Sequence, residues 1–331
     1  MTTHTLLPDP SSPLSRESAA RAFADLLDGS VPEEAIEAFL IGLSERGETS
    51  IEIAEAARAM RNRLIPVSAP PGAIDVCGTG GDGHHTLNVS TAVSLVVAAC
   101  GVPVAKHGNR AASSRAGAAD TLEALGLNLD RAGARAEESL HELGIAFLFA
   151  QHHHPALARL APIRRRIGRR TIFNLMGPLA NPAHVTRQLI GIARPDYANI
   201  YAEALEQLGS DAAAVIAGEE GLDELSTAGA SIAVNVGSAC LPTRIVPEDA
   251  GLPRHPLSAI RGGDPQHNAV ALRRLLKGEQ GAYRDAVLLN AAAALMVAGQ
   301  ADSLPEGAEN AAEAIDAGLA NTLLDCWIAF A

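Results

Sequence analysis

Residues 75–126 read DVCGTGGDGHHTLNVSTAVSLVVAACGVPVAKHGNRAASSRAGAADTLEALG. An apolar, β-like segment at 73–77 runs into Gly78-Thr79-Gly80-Gly81-Asp82-Gly83, with four glycines in six residues. Glycine takes positive φ without strain and lets backbone N–H groups approach a ligand closely, so such a turn suits an anion. Asn88, Ser90 and Thr91 stand where an apolar run, 89–100, begins. That pattern puts the end of the loop at a helix N-terminus, whose orphan N–H donors and positive dipole end favour phosphate. A second strand-like piece, 102–105, leads into Lys106-His107-Gly108-Asn109-Arg110 and then Ser113 and Ser114. Two strand ends thus offer glycines, hydroxyls and cations to one crevice, where open α/β sheets bind ligands. GTGGDG alone is a weak signal, since it fits neither G-x-G-x-x-G with a downstream acid nor G-x-x-x-x-G-K-[ST]. Joined to NVST and KHGNRAASS, it reads as a phosphate site.

Outward from this stretch the chain divides in two. On its N-terminal side Ser15 or Ser18 caps a helix that stops at Gly29, Pro32-Glu33-Glu34 opens a second that stops at Gly47, and Thr49 caps a third over 51–64. These make a small all-helical N-terminal domain over residues 1–70, whose apolar faces pack on later helices or on an equivalent chain. The proline-rich 66–72 reads as a linker. Over 71–331 strand-like segments at 146–150, 188–193, 212–217, 231–236 and 244–246 alternate with helical ones, which predicts a large doubly wound α/β domain with a mainly parallel central sheet. The helix 286–298 is apolar on nearly all sides and reads as buried, with Asn290 a satisfied core polar group.

Composition sets limits. With 47% apolar and 19% charged residues the chain is globular rather than disordered. A net charge of −12 argues against a general nucleic-acid or membrane-surface protein, so an anionic ligand needs a local patch such as Lys106, Arg110 and Arg115. Cys77, Cys100, Cys240 and Cys326 lack C-x-x-C spacing and read as buried free thiols. With no secretory signal and no span-length apolar run, a cytoplasmic protein is expected. The Arg-rich 162–170 reads mainly as a solvated helical face. His152-His153-His154 is not read as one metal site: on extended chain they would alternate sides, and no Cys or carboxylate lies at zinc spacing.

GTGGDG, NVST, KHGNR with its downstream SS, ADTLEALG, RRTIFNLMGPLANPA and GLDE resemble the motifs of the anthranilate phosphoribosyltransferase family, from about residue 76 to past 290. The resemblance implies transfer of a 5-phosphoribosyl group from phosphoribosyl pyrophosphate to the amine of anthranilate in tryptophan biosynthesis, with release of pyrophosphate. It implies that Gly78, Gly81, Asp82, Thr86, Asn88, Ser90, Thr91, Lys106, Arg110, Ser113 and Ser114 hold phosphoribosyl pyrophosphate. Ser90, Asp223 and Glu224 would hold Mg²⁺, and Gly78, His107, Asn109 and Arg164 would orient anthranilate. It also implies that helices from about 160–185 return to the small domain, and that the chain is a homodimer through that domain. Only His154 of the histidine run matches the family, and Gln151 replaces its usual proline. Serines are frequent in the family where Ala116 and Ala118 stand here, so a hydroxyl contact to phosphate is absent.

Two other readings each match part of the sequence. A pyrimidine nucleoside phosphorylase shares a KH-type motif, but its KHS and D-K-L-E patterns are replaced by KHG and Asp120-Thr121-Leu122-Glu123. A non-catalytic nucleic-acid-binding paralogue draws on the arginines at 164–170, against the net charge and the intact motifs.

Overall fold

The computed structural model describes residues 6–111 and 115–331. Ser113 and Ser114 therefore lie outside the described residues. Three helices open the chain: α1 (Arg16–Asp28), α2 (Glu33–Arg46) and α3 (Ser50–Arg61). Their ends follow local chemistry. Ser15 accepts from Ser18 N at the start of α1, and Gly29 closes it at φ 75°. Thr49 and Glu52 form a reciprocal capping box at α3. The Glu52 carboxylate, fully buried, also accepts from Leu14 N and pairs with Arg46, which offsets its desolvation.

The α/β part runs β1 (Ile74–Gly78), α4 (Val89–Ala99), β2 (Val104–Gly108), α5 (Ala118–Ala124), α6 (Leu129–Ala134), α7 (Ala136–Glu142) and β3 (Ile145–Phe149). Short α8 (Ala150–His153), α9 (Leu160–Ile167) and α10 (Met176–Leu179) follow. Then come β4 (Arg187–Gly191), α11 (Ala198–Gln207), β5 (Ala212–Gly218), β6 (Ser231–Gly237) and β7 (Arg244–Ile245). The chain closes with α12 (Pro265–Leu276), α13 (Ala282–Ala298), α14 (Leu304–Asp316) and α15 (Leu319–Phe330). Sheet order is β3-β2-β1-β4-β5-β6-β7, with β1 to β5 parallel, β6 antiparallel to β5, and β7 antiparallel to β6. The expected doubly wound, mainly parallel sheet is present.

Each sheet face has its own core. One is packed with α4, α12, α13, α14 and α15, including the fully buried Val93, Leu95, Leu289 and Leu324. The other joins Ile190, Val215 and Ala217 to α11, α1, α2 and α3, and to Leu160, Ile163, Phe173 and Met176 from the later segment. Phe23 of α1 meets Phe39 and Phe173 edge-on at ring-centroid distances of 6.0 and 6.5 Å. The apolar faces of the N-terminal helices are thus covered by this same chain.

Several local expectations shift. Residues 150–153 turn into the helix α8 rather than staying extended, and the three imidazoles go to separate partners: Asp130 for His152, Ile65 O for His153, His107 for His154. Lys106 and His107 sit on β2 itself, not beyond it. All four cysteines are free, but Cys240 and Cys326 are exposed, because the turn after β6 and the outer side of α15 face solvent. Among the described residues no helix is long and apolar enough to cross a membrane.

Candidate active site

The strand order reverses about β1, with β2 on one side and β4 on the other. A crevice therefore opens outside the carboxyl ends of β1 and β4, where Gly78 and Gly191 are register partners. The loop after β5 crosses these ends. A Cβ on Gly191 would stand 1.6 Å from Asp223 O, and one on Gly78 2.4 Å from Asp223 Oδ2. Gly191 needs glycine because the Asp223 backbone passes directly over it, whereas at Gly78 the Asp223 carboxylate side chain lies closest.

That crossing brings the predicted motifs together. Asp223 Oδ2 accepts from Gly80 N at 2.8 Å, and Glu224 Oε1 accepts from Ser90 N at 3.1 Å at the start of α4. Asn290, buried on α13, holds Leu225 by both backbone N–H and C=O at 2.9 Å, which seats the acidic pair. Its core role is as expected, and its partner is the residue after the pair. Lys106 Nζ, also buried, donates to Val76 O at 2.7 Å and Ser90 Oγ at 3.2 Å. Burial, with Asp82 nearby, pushes the Asp223 carboxyl up to about 7. Burial and then Asp223 hold Glu224 well above the usual range. Lys106 offsets part of this on Glu224. Thr91 Oγ1, buried beside them, has no hydrogen-bond partner among the described residues.

The expected acceptor side lies along β2 and α9. His107 Nδ1 faces Gly177 O at 2.7 Å, and its Nε2 lies 3.2 Å from His154 Nε2. A carbonyl only accepts, so Nδ1 of His107 carries the proton and its Nε2 presents a lone pair towards His154. Burial and the neighbouring ring push His107 down to about 3, and burial takes His154 to about 4, so both are neutral at pH 7. Arg164 on α9 is half-buried, and its guanidinium has no hydrogen bond or ion pair among the described residues. Desolvation lowers its pKa. The other arginines of the run are not one basic face: Arg166 pairs with Glu33 and Glu37, and Arg169 with Glu45.

Other predicted residues are less available. Asn109 is exposed and turns its Oδ1 onto Arg110 N, and Arg110 pairs with Asp120 and Glu123 over the Phe149 ring. Thr86 pairs with Arg261 through its backbone, in an isolated antiparallel bridge. Asn88 departs from expectation: its Oδ1 accepts from Thr121 Oγ1 at 2.6 Å and Asn268 Nδ2 at 2.9 Å, and its Nδ2 donates to Ala116 O at 3.3 Å. The amide expected on a phosphate is committed to the protein, because Asn88 sits in a tight turn that swings it away from the helix end.

Two contributors escaped the sequence reading. Arg170 Nη2 donates to Gly80 O at 2.9 Å while its own carbonyl accepts from Ser44 Oγ of α2, so it ties the helical layer to the glycine loop. Asp75, fully buried, accepts from His107 N at 3.1 Å and Asn181 Nδ2 at 2.8 Å, bracing β2 against the segment after α10. A carboxylate inside an apolar strand was itself the available signal.

The glycosyl transferase family, a/b domain, matches residues 70–321, and the glycosyl transferase family, helical bundle domain, matches 9–64. The chain is 68% identical to anthranilate phosphoribosyltransferase of Novosphingobium aromaticivorans over 98% of its own length and 99% of the relative's. The chain belongs to the anthranilate phosphoribosyltransferase family. A solved anthranilate phosphoribosyltransferase from Thermus thermophilus superposes with a TM-score of 0.92 at 45% identity, covering 98% of this chain and 99% of the other. The Saccharomyces cerevisiae anthranilate phosphoribosyltransferase, solved in complex with PRPP and Mg, gives 0.88 at 27% identity over 99% and 96%. The sequence resemblance to anthranilate phosphoribosyltransferases is thereby borne out at the level of family and fold.

Proposed function

We propose that the chain transfers the 5-phosphoribosyl group of phosphoribosyl pyrophosphate to the amine of anthranilate in tryptophan biosynthesis. The observation that carries this reading is the crossing of Asp223 and Glu224 over the glycine loop and the start of α4, in a chain 68% identical to a named relative with this activity. In the reaction a C–N bond forms at the anomeric carbon while the bond to pyrophosphate breaks, and the ammonium proton is lost to solvent. Carbon becomes cationic and charge builds on the leaving pyrophosphate, so the protein's work is positioning and electrostatic.

Gly78, Gly81, Asp82, Thr86, Ser90, Thr91, Lys106 and Arg110, with Ser113 and Ser114, are the donor ligands of this proposal. Asn88 contributes through its backbone and as a scaffold. Asp223, Glu224 and Ser90 would hold Mg²⁺: the donors are all oxygen, and Lys106 offsets only part of the burial of Glu224, which suits a hard divalent cation. Bound there, the ion would neutralise charge on the departing pyrophosphate. Arg164, unpaired and half-buried, is assigned to the anthranilate carboxylate, with Asn109 and the neutral His107 at the same entrance.

Arg164→Ala should raise the anthranilate KM by about ten- to a hundred-fold with the phosphoribosyl pyrophosphate KM unchanged, since a charge-assisted bond is worth about 1.5–3 kcal/mol. Arg164→Lys should recover little of it, because ammonium lacks the bidentate fork. Loss of anthranilate fluorescence measures both constants. Wild type that binds phosphoribosyl pyrophosphate but consumes no anthranilate would overturn the acceptor assignment.

We further propose that the helical unit is 1–70 with the returning 160–185, and the α/β unit 71–331. The support is the shared core of α1, α2 and α3 with Leu160, Ile163 and Phe173. A cytoplasmic homodimer through the helical unit completes the proposal, with Leu6 and Ile65 as exposed apolar side chains of that region. Light scattering should give twice the chain mass at micromolar concentration; a monomeric mass rejects it.

A further inference from the structure

Asn88 stands at the N-cap position of α4, and its side chain makes no cap hydrogen bond. Its φ of −70° and ψ of 75°, with Val89 N donating to Leu87 O at 2.7 Å, form an inverse γ-turn. An asparagine at this position ordinarily turns its side-chain oxygen onto the second or third helical amide, here Ser90 or Thr91. Ser90 N already donates to Glu224 Oε1 at 3.1 Å, which leaves the Thr91 amide as the donor for an anion at the helix end. In this chain the oxygen is held elsewhere, by Thr121 Oγ1 of α5 at 2.6 Å and by Asn268 Nδ2 of α12 at 2.9 Å.

The clamp is built from distant elements. Asn268 is seated by accepting from Gly263 N at 2.8 Å, and Tyr283 of α13 donates its hydroxyl to Asn88 O at 3.0 Å. Thr121 is 0% exposed and Asn268 2%, so neither reaches a substrate. We propose that Thr121, Asn268 and Tyr283 are positioning residues of the donor site, which stop Asn88 from capping its own helix and so leave the Thr91 amide to the ligand. This rests on the phosphoribosyl pyrophosphate reading above. Without the clamp, Asn88 Oδ1 falls onto the Thr91 amide and competes with the phosphate for it.

Thr121→Val removes the hydroxyl at nearly constant volume, and Tyr283→Phe does the same on the backbone side. Calorimetric titration with phosphoribosyl pyrophosphate and Mg²⁺ should show Thr121→Val weakening binding about five-fold, the worth of one N-cap bond. The donor KM should rise equally, with the anthranilate KM and melting temperature near wild type, and Thr121→Ser should restore binding. In an Asn88→Ala background Thr121→Val should add nothing, because there is no side chain left to release. The same five-fold loss in that background, or wild-type binding by both single variants, overturns the inference while the donor reading stands. Wild type that binds no phosphoribosyl pyrophosphate overturns both.

Discussion

Asp223→Asn is expected to lower kcat/KM for phosphoribosyl pyrophosphate by about a hundred- to a thousand-fold, while making the ligand-free protein more stable at pH 8. Activity falls because a carboxylate placed for Mg²⁺ is replaced by a neutral amide, and metal stabilisation of leaving-group charge is worth several kcal/mol. Stability moves the other way. Burial and Asp82 raise the folded Asp223 carboxyl to about 7 from an ordinary 3.8, so between roughly pH 4 and 7 the folded state binds more protons than the unfolded one. Stability contributed by this group therefore declines as pH rises through that window, and the penalty is complete above it. Asparagine carries no such penalty, keeps an acceptor for Gly80 N, and relieves the repulsion on Glu224. After discounting for partial solvent exposure, the gain at pH 8 is about 1–2 kcal/mol, vanishing near pH 4. Thermal melts of both proteins across pH, without ligand, check this. A variant that is less stable than wild type at pH 8, or as active in saturating Mg²⁺, contradicts the assignment of Asp223.

Gly191→Ala should be the most damaging small substitution at the site. Its Cβ would stand 1.6 Å from Asp223 O and 2.5 Å from Asp223 C, and backbone cannot step aside as a flexible side chain can. Either β4 loses register with β1 and β5, or the acidic loop lifts from the crevice. A cost of about 3 kcal/mol or more follows, at the upper end for overpacking. A melting temperature several degrees lower is expected, along with loss of the stabilisation that phosphoribosyl pyrophosphate and Mg²⁺ confer on wild type. Gly229→Ala is the control: it lies in the same loop connection, at ordinary φ, with nothing within 4 Å of its Cβ, and should change stability by no more than about 0.5 kcal/mol. If Gly191→Ala melts like this control and keeps its ligand response, the close crossing of the acidic loop is not a feature of the protein in solution.

The two substitutions separate charge from shape. Asp223→Asn leaves the crossing intact and removes the charge, whereas Gly191→Ala leaves every charge and displaces the crossing. A site that depends on both must fail in both, but only the second should cost stability.

What the sequence determined by itself was whatever neighbouring residues encode. Ser15 and Gly29 bound α1, Thr49 and Glu52 box the start of α3, and GTGGDG followed by NVST marks the turn from β1 into α4, all within a few residues of chain. The alternation of apolar strands with helices was likewise enough for a doubly wound sheet, since burial on both faces leaves a local hydrophobic pattern. Tertiary structure alone decided which partners those elements meet. Asp223 reaches Gly80 across 143 residues, Glu224 reaches Ser90 across 134, and Asn268 reaches Asn88 across 180. Over such separations no local pattern specifies distance or donor direction. The hold of Thr121 and Asn268 on the Asn88 amide, and of Arg170 on Gly80 O, is therefore not legible in the sequence. Conformational preference is a property of a few bonds, whereas the partner of a side chain is set by how the whole chain closes its core.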